Sequence, residues 1–175
     1  MREPKVLVGV PTADVKSYCQ DEFLEQLKLL SYENKSIYIV DNSTTNKNHK
    51  KINKYGYNGC WLPRGNKGVR QIIAESHDVL RQHAIRNDYD YLFHFESDVF
   101  LNGNYHIIEK LLSHQRDVAA GCYDIGHGSK RQLCILLTDN AAHHLMPYFV
   151  DKFDIVFMNG SLQKVYNAGI GACLI

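Results

Sequence analysis

The chain has 175 residues, 45% of them hydrophobic and 22% charged, with a formal net charge of +1. That length suits one domain with a real core, and the near-neutral balance, with no Lys/Arg cluster beyond Lys47, Lys50, Lys51 and Lys54, argues against nucleic acid as the main partner. No apolar run approaches the roughly 20 residues needed to cross a bilayer, and Met1-Arg2-Glu3-Pro4 lacks a signal-peptide core.

In chain order, Lys5 to Val10 reads as a buried strand stopped by Pro11-Thr12. Asp21 to Leu30 places Phe23, Leu24, Leu27 and Leu30 on one face of a helix. Ser36 to Val40 is a second strand, and Asp41-Asn42-Ser43-Thr44-Thr45-Asn46 is a turn-forming polar loop after it. The lysine-rich segment that follows reads as a solvated loop or short helix. A short strand lies around Cys60-Trp61-Leu62, and Pro63 to Gly68 opens a helix from about Val69 to Ile85. Tyr91 to Phe95 is a strand, Tyr105 to Ser113 a helix, and Val118 to Cys122 and Gln132 to Leu137 are further strands. Between that last pair lies a Gly-rich loop, Asp124 to Ser129, and the segment Val165 to Ile175 is apolar and broken by Gly169 and Gly171. Alternation of strand and helix through the first hundred or so residues predicts an α/β fold, a mainly parallel central sheet with helices on both faces.

Five cysteines are odd in number, widely spaced and contain no CxxC pair, so zinc and a disulfide framework are not expected and a reducing, cytoplasmic setting is. Nine histidines are scattered without metal-ligand spacing. The chemistry concentrates elsewhere. Phe93-His94-Phe95-Glu96-Ser97-Asp98 is a buried run that ends in two carboxylates one residue apart. Strand alternation predicts Glu96 and Asp98 on one face, with Ser97 turned away. Such hard oxygen ligands suit Mg²⁺ or Mn²⁺ carrying a phosphorylated ligand.

Thr12 and Asp14 follow the first strand, and Asp41 and Asn42 follow the second. In a parallel sheet these ends and that of Phe95 share one edge, where ligands of open α/β sheets bind. Asp41 is placed to accept from a base imino N–H or a ribose hydroxyl, with an Asx-turn as the alternative. Asn66-x-Gly68 at a helix entrance suits either close backbone approach to a ligand or an ordinary N-cap. Arg70 and Arg131 are candidates to pair with phosphate oxygens.

Val10-Pro11-Thr12-Ala13-Asp14, Ile39-Val40-Asp41-Asn42-Ser43-Thr44, Asn66-Lys67-Gly68 and Phe93 to Asp98 resemble, in order and spacing, the landmarks of GT-A glycosyltransferases of the family-2 type. The closing Asn167 to Ile175 is similar to that family's glycine-containing strand near the acceptor side. The resemblance implies one GT-A-like catalytic domain over residues 1–175, minimal or truncated at its C-terminus, with a nucleotide-binding half over 1–100 and an acceptor-side half over 101–175.

It further implies a metal-dependent transfer of sugar from a UDP- or GDP-sugar to a saccharide or other acceptor hydroxyl. Pro11, Thr12, Asp14, Asp41, Asn66, Gly68, Arg70, Glu96 and Ser97 would lie along the donor, and Asp98, with Glu96 as second ligand, would hold Mn²⁺ or Mg²⁺. Glu96 occupies a DxD position where Asp is usual. The family's base lies downstream of the glycine-containing strand, so Asp124 and Asp154 are the remaining candidates, with His127 expected to face the sugar. Two other readings stand beside this one: a nucleotide-sugar-binding or scaffolding remnant without turnover, and a nucleotidyltransferase. The segment Pro11 to Lys16 lacks the Gly-rich, basic signature of the latter.

Overall fold

A computed structural model describes residues 2–121, 124–125, 132–133, 135–137, 165–168 and 171–175. Its centre is a six-stranded sheet. The strands are β1 (Val6–Thr12), β2 (Lys35–Asp41), β3 (Asn58–Trp61), β4 (Tyr91–Phe95), β5 (Ala119–Ala120) and, far along the chain, β10 (Ala172–Leu174), in the order β3-β2-β1-β4-β10-β5. The first four are parallel, whereas β10 runs antiparallel to both β4 and β5. The short pairs β6 (Asp124–Ile125) with β7 (Gln132–Leu133), and β8 (Ile135–Leu137) with β9 (Val165–Ala168), lie outside that sheet.

Each face of the sheet carries helices because its strands are apolar on both sides. Val6, Val8, Val10, Ile39, Phe93 and Phe95 form one face. They pack with Phe23, Leu24 and Leu27 of α1 (Gln20–Leu29), Ile52 of α2 (Lys47–Lys54) and Ile107, Ile108 and Leu111 of α4 (Ile107–Ser113). Burying a side chain of the size of Phe23 or Leu27 contributes about 1.5–3 kcal/mol. The opposite face carries α3 (Val69–Arg86). There a Cβ on Gly9 would lie 2.7 Å from Leu92 and 3.2 Å from Leu80, so the missing side chain is what lets α3 approach β1. That close seat fixes where α3 presents its side chains at the sheet edge.

One boundary that differs from the sequence reading bears on the site. β1 continues through Pro11 to Thr12. Thr12 O accepts from Asn42 N on the β2 side, so Pro11 faces the β4 side, beyond the last β1–β4 pair, Gly9 with His94. A proline there removes no ladder hydrogen bond. Of the two readings open for the lysine-rich segment, loop or short helix, the helix is present as α2, held by the single fully buried Ile52.

Residues 132–137 were expected as one strand and divide instead between β7 and β8, in different pairs. Asp124, expected in a loop, opens β6. No described helix is long and apolar enough to cross a membrane.

Candidate active site

The carboxyl ends of β1, β2 and β4 open onto one cleft of about 250 Å³. Its floor holds Thr12, Asn42, Glu96 and Ser97, and its walls are the segment after β1 and the first two turns of α3. Asp14, Val15 and Lys16 form a 3-10 turn after β1, which brings an acid and a base to the rim. Arg64 stands in the wall before α3, where among the described residues its guanidinium makes only a 3.5 Å contact, through Nε, to Lys67 O.

Two hydroxyls on the cleft are orphaned. Thr12 and Ser97 are 6% and 3% exposed, and neither Oγ has a hydrogen-bond partner among the described residues. Buried polar groups are normally satisfied, so a pair of unsatisfied hydroxyls on a cleft wall suits a polar ligand.

The acidic turn is built differently from its sequence expectation. β4 ends at Phe95, and Val99 N donates to Glu96 O at 3.1 Å, so residues 96–99 form a turn and not two more strand positions. Glu96 turns to α3, where its Oε1 lies 3.6 Å from His77 Nε2, too long for a hydrogen bond. Asp98 is held by the Lys16 ammonium through its Oδ2. Burial first, and the Asp98 charge second, push the Glu96 carboxyl up to about 7, with Lys16 partly offsetting both. Burial alone would lower the Lys16 ammonium, but its hydrogen bond to Asp98 and the charge of that carboxylate hold it above the usual lysine value. Burial holds His77 below the ordinary histidine value, so it is mainly neutral at pH 7.

Asp41 is not on the cleft wall. Its side chain is fully buried, and Oδ1 accepts from Ser43 N, Ser43 Oγ and Asn48 Nδ2 at 3.2, 2.5 and 3.0 Å. The first of these closes an Asx-turn, and Ser43 Oγ also accepts from Asp14 N at 2.8 Å, so Asp41 fixes the segment after β1 as well as its own loop. Oδ2 is buried and has no hydrogen-bond partner among the described residues. Asn42, beside it, lines the cleft and donates to Ser76 Oγ of α3 at 3.0 Å.

Of the sequence-derived candidates, the structure brings together Pro11, Thr12, Asp14, Glu96 and Ser97 in the cleft, with Asp98 joined to it through Lys16. Asn66, Gly68 and Arg70 are exposed and do not line it. A Cβ on Gly68 would meet open space, so no close approach requires that glycine. Asp154, Arg131 and His127 lie outside the described residues, as does the side chain of Asp124. Lys16, Arg64 and His77 were missed: each is unremarkable among its sequence neighbours and becomes part of a site only through the fold.

Oxygen chemistry fits a divalent cation here. The Asp98 charge helps to raise the Glu96 carboxyl in the same turn, and an ammonium is drawn to Asp98. Among the described residues no group of three or more His, Cys, Asp or Glu side chains is arranged to hold a metal by itself. One or two carboxylates, with phosphate and water completing the shell, is the usual arrangement for Mg²⁺.

No family model and no curated protein matches the sequence. Among solved structures, the chain is similar to the mannosyltransferase PcManGT from Pyrobaculum calidifontis in complex with GDP-Man and Mn²⁺, with a TM-score of 0.50 and 12% identity over 71% of this chain. The likeness is one of fold. The match covers 37% of that protein's chain, and this chain's six-stranded, mostly parallel sheet flanked by helices is consistent with a glycosyltransferase-like α/β architecture.

Proposed function

We propose that the chain is a divalent-cation-dependent glycosyltransferase that takes a UDP- or GDP-sugar and transfers the sugar to an acceptor hydroxyl. One observation carries this reading: the cleft at the carboxyl ends of β1, β2 and β4 joins two orphaned buried hydroxyls to a carboxylate pair and two cationic side chains. Asp98, with Glu96 as second oxygen ligand, would hold Mn²⁺ or Mg²⁺, which when bound supplies charge stabilisation to the leaving diphosphate.

In this reading the chain's own groups bind and orient. Thr12 and Ser97 donate their hydroxyls to donor oxygens, and the Arg64 guanidinium pairs with phosphate from the α3 side. Asp41 Oδ2 accepts from the base or ribose, and Asp14 faces the donor at the rim. Buried Pro11 and Ile72 form an apolar part of the cleft lining. Asp124 and Asp154 are the proposed acceptors of the proton from the incoming hydroxyl, a role that needs a group within hydrogen-bond reach of it.

Calorimetry of UDP and GDP with Mn²⁺, then with EDTA, tests the reading, followed by a hydrolysis panel of sugar nucleotides. Binding that requires Mn²⁺, with turnover, is the expected result. Equal affinity in EDTA, or no binding of either nucleotide, overturns it, and binding without turnover favours a nucleotide-sugar-binding module.

A further inference from the structure

Lys16 is the one ammonium bonded to the acidic turn among the described residues, and it reaches Asp98 from 82 positions away. Resting on the functional reading above, we propose that Lys16 is an exchangeable counter-ion: it occupies Asp98 until a divalent cation takes that carboxylate, and it then turns its ammonium to the diphosphate.

Three features of the site support the exchange. First, both side chains of the pair remain partly open, at 31% and 30% exposure, so the ion pair is of the weak, solvent-screened kind. A divalent cation competes well against such a partner. Second, Lys16 belongs to a three-residue 3-10 turn without a side-chain cap, and a lysine carries its charge on a flexible stem with rotatable donors. Its ammonium can change acceptor without a change of backbone. Third, Lys16 lines the same cleft as the orphaned hydroxyls of Thr12 and Ser97, so the released charge remains where an anionic group would enter. The alternative role, a fixed strut between the β1 and β4 ends, would make Lys16 support the metal site; the exchange makes Lys16 oppose it.

The two roles predict opposite signs. Manganese binding alone, followed by electron paramagnetic resonance and calorimetry, is compared between wild type and Lys16→Met. The exchange predicts that Lys16→Met binds Mn²⁺ about three- to fivefold more tightly, the scale of a lost exposed ion pair. With Mn²⁺ saturating, it also predicts UDP or GDP bound about tenfold more weakly, through the loss of a charged hydrogen bond. Lys16→Arg should restore much of the nucleotide affinity. Lys67→Met removes the same charge from a pair with Glu75 away from the turn, and should leave Mn²⁺ affinity near wild type.

Unchanged or weaker Mn²⁺ binding by a folded Lys16→Met overturns the exchange while leaving the functional reading intact, provided the wild type binds nucleotide with Mn²⁺. A gain matched by Lys67→Met shows a general charge effect and overturns it as well. A wild type that binds neither Mn²⁺ nor nucleotide overturns both.

Discussion

Asp41, the last residue of β2, is fully buried and gives one oxygen to three donors, whereas Asp98, in the turn after β4, is about a third exposed and held by one ammonium. Both are carboxylates at the same sheet edge, yet their surroundings assign them different work. The hydrogen bonds of Asp41 come from its own loop and from α2, so they define the local backbone. The partner of Asp98 comes from another strand end on a flexible side chain, so it can be exchanged. A carboxylate at a strand end is therefore classed by the origin of its partners and not by its position.

The largest expected effect breaks that comparison at Asp41. Asp41→Ala leaves Ser43 N, Ser43 Oγ and Asn48 Nδ2 without their acceptor, and should cost about 3 kcal/mol of folding stability by chemical denaturation. A cost under about 1 kcal/mol would remove the distinction between the two acids.

Asp98→Asn should do the reverse. Its stability stays within about 0.5 kcal/mol of wild type, while nucleotide affinity in Mn²⁺ drops about a hundredfold, or about 2.7 kcal/mol. Calorimetry in Mn²⁺ and in EDTA reads both halves, and a hundredfold loss that persists in EDTA would detach Asp98 from the cation.

Glu96 sharpens the contrast through pH. Its folded-state pKa, about 7, is raised above the ordinary 4.5, so the folded protein favours the protonated form. That contribution is complete below about 4.5 and is lost as pH rises through about 7. In EDTA, Glu96→Gln should therefore gain on wild type by about 2 kcal/mol between pH 4 and pH 8, after allowance for the partial exposure of the carboxyl. A flat difference across that range would contradict the shift. The smallest effect is at Ser76, whose hydroxyl accepts from Asn42. Ser76→Ala should cost about 1 kcal/mol, a fall of about 2–4 °C in melting temperature.

The parallel core was legible because its signals are local. Runs such as Val6 to Val10 and Tyr91 to Phe95 are continuous and apolar, and α1 and α3 carry apolar residues at helical spacing. Asp41, Thr12 and Glu96 could be placed at one edge from strand order alone. What stayed hidden depends on distance or on small departures from regularity. Nothing near Lys16 announces Asp98, and the otherwise polar segment around Ile52 left loop and short helix undecided. The expected common face of Glu96 and Asp98 came from extending β4 three residues too far, since the turn closed at Val99 redirects both. Arg70 was chosen for its charge, but it is Arg64, in the loop leading into α3, that lines the cleft.

The place of β10 in the sheet has a kinetic consequence. β4 is flanked by β1 on one edge and by Ala172–Leu174 on the other, and Glu96 N, at the start of the acidic turn, donates to Gly171 O at 2.8 Å. β1 meets β4 across 85 positions and β10 meets it across 77 to 81, so neither edge of β4 is closed by a neighbouring segment. Such non-local pairing is slow to close. Until it does, the strand that bears Phe93 and Phe95 has an open edge, which is a template for pairing with other chains. Refolding yield should consequently fall with protein concentration more steeply than a purely local α/β order would give, and the acidic turn should be among the last parts of the cleft to reach its final shape.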